Sequence, residues 1–168
     1  MMIFPSKNSS ILVLCLFLCL QLATAKNVHF NNCRGTSAVV SVDISPCEKE
    51  PCVFYKGTNV TYTVTFKPSQ RVKNSEQTKL KFVADAGIMK KNLPLKNPMA
   101  CENHGIICPL EPGVQVTLVS TSFVEKRFPA FIPFRSNFYM YDQEKKIVFC
   151  LITKNIIKPK YEEKGEGY

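Results

Sequence analysis

The chain has 168 residues, with 22 Lys and Arg against 13 Asp and Glu and a formal net charge of +9. That length fits one domain with a real core. The cations, among them Lys67, Arg71, Lys73, Lys79, Lys81, Lys90, Lys91 and Lys96, are spread along the chain without interleaved aromatics, which argues against nucleic acid and reads as a solvated basic surface, with attraction to anionic lipid the sharper alternative.

The first 25 residues read as a secretory leader: Lys7 supplies a positive start, Ile11 to Leu22 an apolar core, and Ala23-Thr24-Ala25 a small-x-small cleavage signal. The apolar core is too short for a membrane span, which needs about 20 residues. A mature chain from Lys26 keeps six of the eight cysteines: Cys33, Cys47, Cys52, Cys101, Cys108 and Cys150. An even number in an exported chain implies disulfides, and the expectation is a secreted, extracellular protein, with the lysosomal lumen an alternative that rests on glycan processing. Spacing alone does not choose among the pairings.

Strand signals then recur in order. Ser37 to Ile44 alternates, with Ala38, Val40, Val42 and Ile44 expected on one face. Pro46 and Pro51 flank the pair Cys47 and Cys52, which can close a very short charged loop. Asn59 to Phe66 alternates throughout: Val60, Tyr62, Val64 and Phe66 face the core, and Asn59 heads a glycosylation sequon on the wet face. Leu80, Phe82, Ala84 and Ala86 share a face in the next segment. Cys101 and Cys108 bracket a second short loop that contains His104. Val114, Val116 and Leu118 share a face, as do Phe138 and Met140 later, and Ile147 to about Ile152 is apolar on both faces, as in a central strand. Lys56-Gly57, Lys67-Pro68-Ser69, Glu111-Pro112-Gly113 and Asp142-Gln143-Glu144 supply turns. The fold class is all-β, an antiparallel sandwich over residues 26–157 with a flexible charged tail at 158–168.

Chemistry-bearing motifs are scarce. There is no G-x-S-x-G, no HExxH and no Gly-rich phosphate loop, and Asp43 with Asp85 reads as solvent-face charge rather than an acid-base pair. A C-x4-C pair without a matching partner is poor zinc spacing. The expectation is a protein that is not an enzyme and holds no cofactor or metal.

With the cysteines placed, the chain resembles the ML lipid-recognition domain family, most closely its Niemann-Pick type C2 branch. The resemblance rests on NCRG (32–35), VDISPCEKEPC (42–52), KGTNVTYTVTF (56–66), CENHGIICPL (101–110) and YDQEKKIVFC (141–150), in that order. His104 adds a position before Gly105 relative to the family spacing. The resemblance implies bridges Cys33–Cys150, Cys47–Cys52 and Cys101–Cys108. It also implies an immunoglobulin-like sandwich of two sheets with a lipid cavity between them.

By position, Leu93 and Pro94 match a family Phe-Pro at the pocket mouth, and Phe123, Val124, Phe128 and Pro129 match a later loop of the pocket wall. Phe138 stands in place of a family Trp, and Phe66 and Phe82 complete the expected lipid wall. Phe128 lacks the hydroxyl of the family Tyr, and Leu93 changes the wall's shape. The resemblance implies a secreted, monomeric carrier: a single chain that binds a sterol or fatty-acid-like lipid unchanged and touches anionic membranes transiently. The alternative is an innate-immune or signalling module that recognises glycolipids.

Overall fold

The computed structural model describes residues 25–160; the leader up to residue 24 and positions 161–168 of the charged tail lie outside the described residues. Ten strands follow in chain order: β1 Lys26–Asn27, β2 Asn31–Asn32, β3 Ala38–Ser45, β4 Cys52–Tyr55, β5 Asn59–Lys67, β6 Leu80–Asp85, β7 Lys90–Leu93, β8 Val116–Phe123, β9 Pro133–Tyr141 and β10 Ile147–Lys158. One sheet runs β1-β3-β5-β8 and the other β2-β10-β9-β6-β7, with β4 also beside β10. Pairing is antiparallel except for β4, which lies parallel to the last four residues of β10.

Alternation decides which side chains meet between the sheets. Val60, Tyr62, Val64 and Phe66 on β5 are all buried, while Thr61, Thr63 and Thr65 look outward. Leu80 and Phe82 on β6, Phe134, Ser136, Phe138 and Met140 on β9, and Phe149, Leu151, Thr153 and Asn155 on β10 close the interior from the other sheet. A bulge in β3 between Val39 and Ser41 changes one expectation. The extra residue turns Val40 out to solvent, and Val39 packs against the core in its place. Ala38 is likewise exposed, and Val114 lies before β8 with its side chain in water.

β10 is central, as its apolar run suggests, but it continues to Lys158 because β4 and β9 give its far half partners on both sides. Its first half is tied to the N-terminal segment by Cys33–Cys150, with Cα atoms 5.3 Å apart. Cys47–Cys52 staples the turn into β4, and Cys101–Cys108 the loop before β8, at Cα separations of 5.0 and 5.7 Å. All three fall in the usual range for a disulfide.

Candidate functional site

The interior divides into a solid half and a hollow half. In the solid half, aromatic rings follow one another without a gap: Phe66 to Phe149 at 5.0 Å, Phe149 to Phe138 at 5.6 Å, Phe138 to Phe82 at 5.5 Å and Phe82 to Tyr62 at 5.0 Å. Each such pair adds about 0.5–1.5 kcal/mol beyond burial. Phe66 and Phe138, both expected in the lipid wall, sit in this packed row with no exposed surface.

Beyond Tyr62 the packing loosens. A small apolar hollow lies between the sheets, lined by Phe54, Val60, Tyr62, Phe82, Leu93, Ser122, Phe123, Val124, Phe128, Phe134 and Ile157. Its volume is about 10 Å³, roughly the room of one water molecule. On the other side of Phe128 is a second apolar recess of about 40 Å³, reached by Ala84, Met89, Pro129 and Ile132. Phe128 and Phe134 border both. The sandwich thus carries a seam of poor packing that runs from Tyr62 to the surface.

The seam opens between two sheet edges. β7 is the edge of the larger sheet and β8 the edge of the smaller. Just after β7 the chain is laced to β8 where Leu95 bridges Ser122 and where the Ser122 hydroxyl donates to the Pro94 carbonyl at 3.2 Å. Phe128 plugs the gap, 5% exposed, with the Lys91 ammonium 4.7 Å from its ring centroid.

The sequence-expected wall residues therefore have different positions. Leu93, Val124, Phe128 and Phe82 border the hollow. Pro129 borders the outer recess, and Pro94 faces an open groove beside β8. Phe123 touches the hollow from its rim but stands on the outer face of β8, 47% exposed, directly across from Asn59. The parity of Val116 and Leu118 already puts Phe123 on that outer face.

Phe54, Val60, Tyr62, Phe134 and Ile157 were not among the expected wall residues, although the alternation of β5 turns Val60 and Tyr62 inward.

Polar groups near the seam have definite partners. Tyr62 Oη lies 3.3 Å from Thr153 Oγ1, and burial pushes its phenol up to about 12 although Ser136, Thr153 and Asn155 oppose the shift. Asp85, on the outer face of β6, accepts a hydrogen bond from the Gly87 amide and pairs with Arg135 and Lys90 at 3.2 and 3.4 Å. The Gly87 amide and the two cations hold its carboxyl below the ordinary range against desolvation. Asp43 lies on β3 in the other sheet, so the two aspartates form no dyad. His104 is buried with both ring nitrogens against backbone carbonyls, Val119 at 2.8 Å and Asn97 at 3.0 Å. Among the described residues no cluster of three metal-ligating side chains occurs.

The family model of the ML domain matches residues 27–157. The chain belongs to the ML domain family. Its relatives include the mouse protein "NPC intracellular cholesterol transporter 2", 28% identical over 127 residues, with 75% of this chain and 82% of the relative covered. The zebrafish protein of the same name is 30% identical over 130 residues, covering 76% and 83%. Among solved structures, a Niemann-Pick type C2 protein from the Japanese carpenter ant superposes with a TM-score of 0.69 at 25% identity, covering 78% of this chain and all of that one. In this ML domain, two sheets tied by three bridges make up the fold that superposes on the ant structure.

Proposed function

We propose that this ML domain is a carrier that takes up one hydrophobic lipid, a sterol or a fatty-acid-like molecule, between its sheets and releases it chemically unchanged. The supporting observation is the apolar seam plugged by Phe128 between the edges of β7 and β8. The names of the cholesterol-transporter relatives point the same way.

The seam is narrow, with about 10 Å³ in its inner hollow. A lipid pocket needs about 300 Å³ or more, far above the space present. Uptake therefore requires Phe128 and Leu93 to swing out and β7 to move away from β8. β7 is suited to this: it has four residues, it pairs with β6 alone among the described strands, and the chain just beyond it bridges to β8 at Leu95 and Ser122. Burying about 400 Å² of lipid yields about 10 kcal/mol before ordering costs, enough to offset the displaced contacts of two or three side chains.

The rim suits contact with an anionic membrane. Ile88 and Met89 at the β6–β7 turn and Phe131 and Ile132 before β9 are exposed together with Lys90, Arg127 and Arg135. Apolar tips within a basic collar bind the headgroup region by burial and by charge at once. Three disulfides fit an oxidising compartment outside the cytosol.

Titration with a fluorescent sterol and a fluorescent long-chain fatty acid tests the proposal. Saturable binding of one molecule per chain, competed by unlabelled lipid and weakened by Phe128→Asp, is the expected result. The absence of saturable binding to either probe contradicts it.

A further inference from the structure

We propose that an N-glycan on Asn59 packs its first N-acetylglucosamine against the ring of Phe123 and lies along the groove beside β8, so that the sugar is a structural part of this outer face. Phe123 is out of place without such a partner. It stands on the outer face of β8, 47% exposed, and its neighbours on that face are polar. The outward positions of β5 and β8 carry Thr61, Thr63, Thr65, Thr117 and Thr121, with Val119 the other exposed apolar side chain on β8. A membrane-docking face gathers its apolar groups, as Ile88 with Met89 and Phe131 with Ile132 do elsewhere on the molecule. Phe123 is instead a lone aromatic among hydroxyls.

The strand register puts the sequon directly beside it. Asn59 is the cross-strand partner of Phe123, and Thr61, the hydroxyl residue of the sequon, is the partner of Thr121. Thr61 Oγ1 lies 2.9 Å from Thr121 Oγ1, which fixes the pairing next to Asn59. Asn59 itself is exposed. Directly opposed side chains have Cβ atoms about 4.5–5.5 Å apart, and in a sheet they stand roughly perpendicular to it, side by side. A sugar bonded to the side-chain amide nitrogen of Asn59 therefore rises next to the Phe123 ring.

The chemistry of the two surfaces matches. One face of the N-acetylglucosamine ring carries only axial C–H groups, and the electron-rich face of an aromatic ring attracts them while both surfaces leave water. The groove beside β8 takes the sugars that follow. It is an open space of about 970 Å³, bordered on the sheet by Asn59, Phe123, Thr121 and Val119 and walled by Asn97 and Glu102 from the chain on either side of Cys101. Amides, hydroxyls and a carboxylate are the partners that sugar hydroxyls use.

The contact makes the sugar and the ring depend on each other. Removing the glycan returns Phe123 to water, and removing the ring leaves the sugar without its support. Phe123 also touches the rim of the hollow, so the glycan braces that rim from outside. It does so whatever the hollow contains, and the inference is therefore independent of the lipid-carrier reading.

The test is a cycle of four proteins secreted from eukaryotic cells: wild type, Phe123→Ala, Asn59→Gln and the double variant, each unfolded by urea. The expected result is that Phe123→Ala lowers the folding equilibrium constant about two- to fivefold more in the glycosylated chain than in the Asn59→Gln chain, the size of a good cross-strand pair. Trimming the glycosylated proteins to the first N-acetylglucosamine with an endoglycosidase should leave that difference in place. The trimmed protein, with its sugar isotope-labelled, should show protons of the first sugar shifted to high field by the ring current of Phe123. Phe123→Leu, which keeps an apolar side chain without a ring, should return them to ordinary positions, and this reading serves if the alanine variant does not fold. An equal cost of Phe123→Ala with and without the glycan, loss of the difference on trimming, unshifted sugar protons, or a secreted chain with no sugar on Asn59 overturns the inference. None of these outcomes bears on lipid uptake, which the titration above tests separately.

Discussion

Phe128→Ala removes the plug from the seam and separates the cost of folding from the rate of lipid exchange. The ring is 5% exposed and borders both the 10 Å³ hollow and the 40 Å³ recess, so its loss joins them into one opening. A fully enclosed Phe→Ala change costs about 3–5 kcal/mol. Here one wall is already loose and water can enter, so the expected cost is about 2–3 kcal/mol. The cation–π contact with Lys91 accounts for about 0.5–1 kcal/mol of that figure.

The same ring must leave its site before a lipid can pass. Giving up its burial contributes about 1.5–3 kcal/mol to the opening barrier. Removing it should speed both uptake and release by roughly 10-fold or more, since each 1.4 kcal/mol is a factor of ten. Stopped-flow transfer of a fluorescent sterol reads the rates, and urea unfolding reads the stability. The chain contains no Trp, so the lipid probe supplies the signal with little protein background. A variant destabilised as expected but exchanging lipid at the wild-type rate would refute the plug.

Replacing Cys33 and Cys150 together by Ser should cost roughly 4–5 kcal/mol in urea unfolding, because the bridge spans 117 positions, whereas loss of Cys101–Cys108, spanning seven, should cost less. Gly35→Ala should destabilise by about 1–3 kcal/mol, since Gly35 has φ of 140° and a Cβ there would lie 2.8 Å from the Phe149 backbone; thermal unfolding checks this. Tyr62 should resist ionisation until about pH 12, read as a late tyrosinate transition in ultraviolet difference spectra. Its folded pKa lies above the unfolded value of about 10, so its contribution to stability is complete below pH 10 and is lost as pH rises from 10 to 12. Protein secreted from eukaryotic cells should carry a glycan on Asn59, removed by Asn59→Gln with a matching fall in mass; an unchanged mass would leave the sequon unoccupied.

The long strands could be read from the sequence because their burial is local and periodic. Asn59 to Phe66 alternates without a break, and β5 turns the expected side chains inward. The short strands could not. β1, β2 and β7 contain Lys-Asn, Asn-Asn and Lys-Lys-Asn-Leu, and what makes them strands is hydrogen bonding to a neighbour, distant in sequence for β2 and the preceding strand β6 for β7, rather than any pattern of their own. The same reason hides the second half of β10, whose partner β4 lies about a hundred positions earlier.

At the candidate site, positional likeness to the family located Leu93, Val124 and Phe128, which border the hollow. It did not reach Phe54, Phe134 or Ile157, because their convergence depends on how β4, β9 and β10 register against each other. The tightness of the seam was also illegible. It is set by how far the side chains of two sheets interdigitate, which a list of aromatics does not determine.

Organic extraction of the secreted protein, followed by mass spectrometry, tests the central claim most directly. The account predicts one apolar lipid per chain, lost when Phe128→Asp is introduced into an otherwise folded, fully oxidised protein. Extracts free of lipid, from a wild-type protein that also takes up no added sterol or fatty acid, would contradict it.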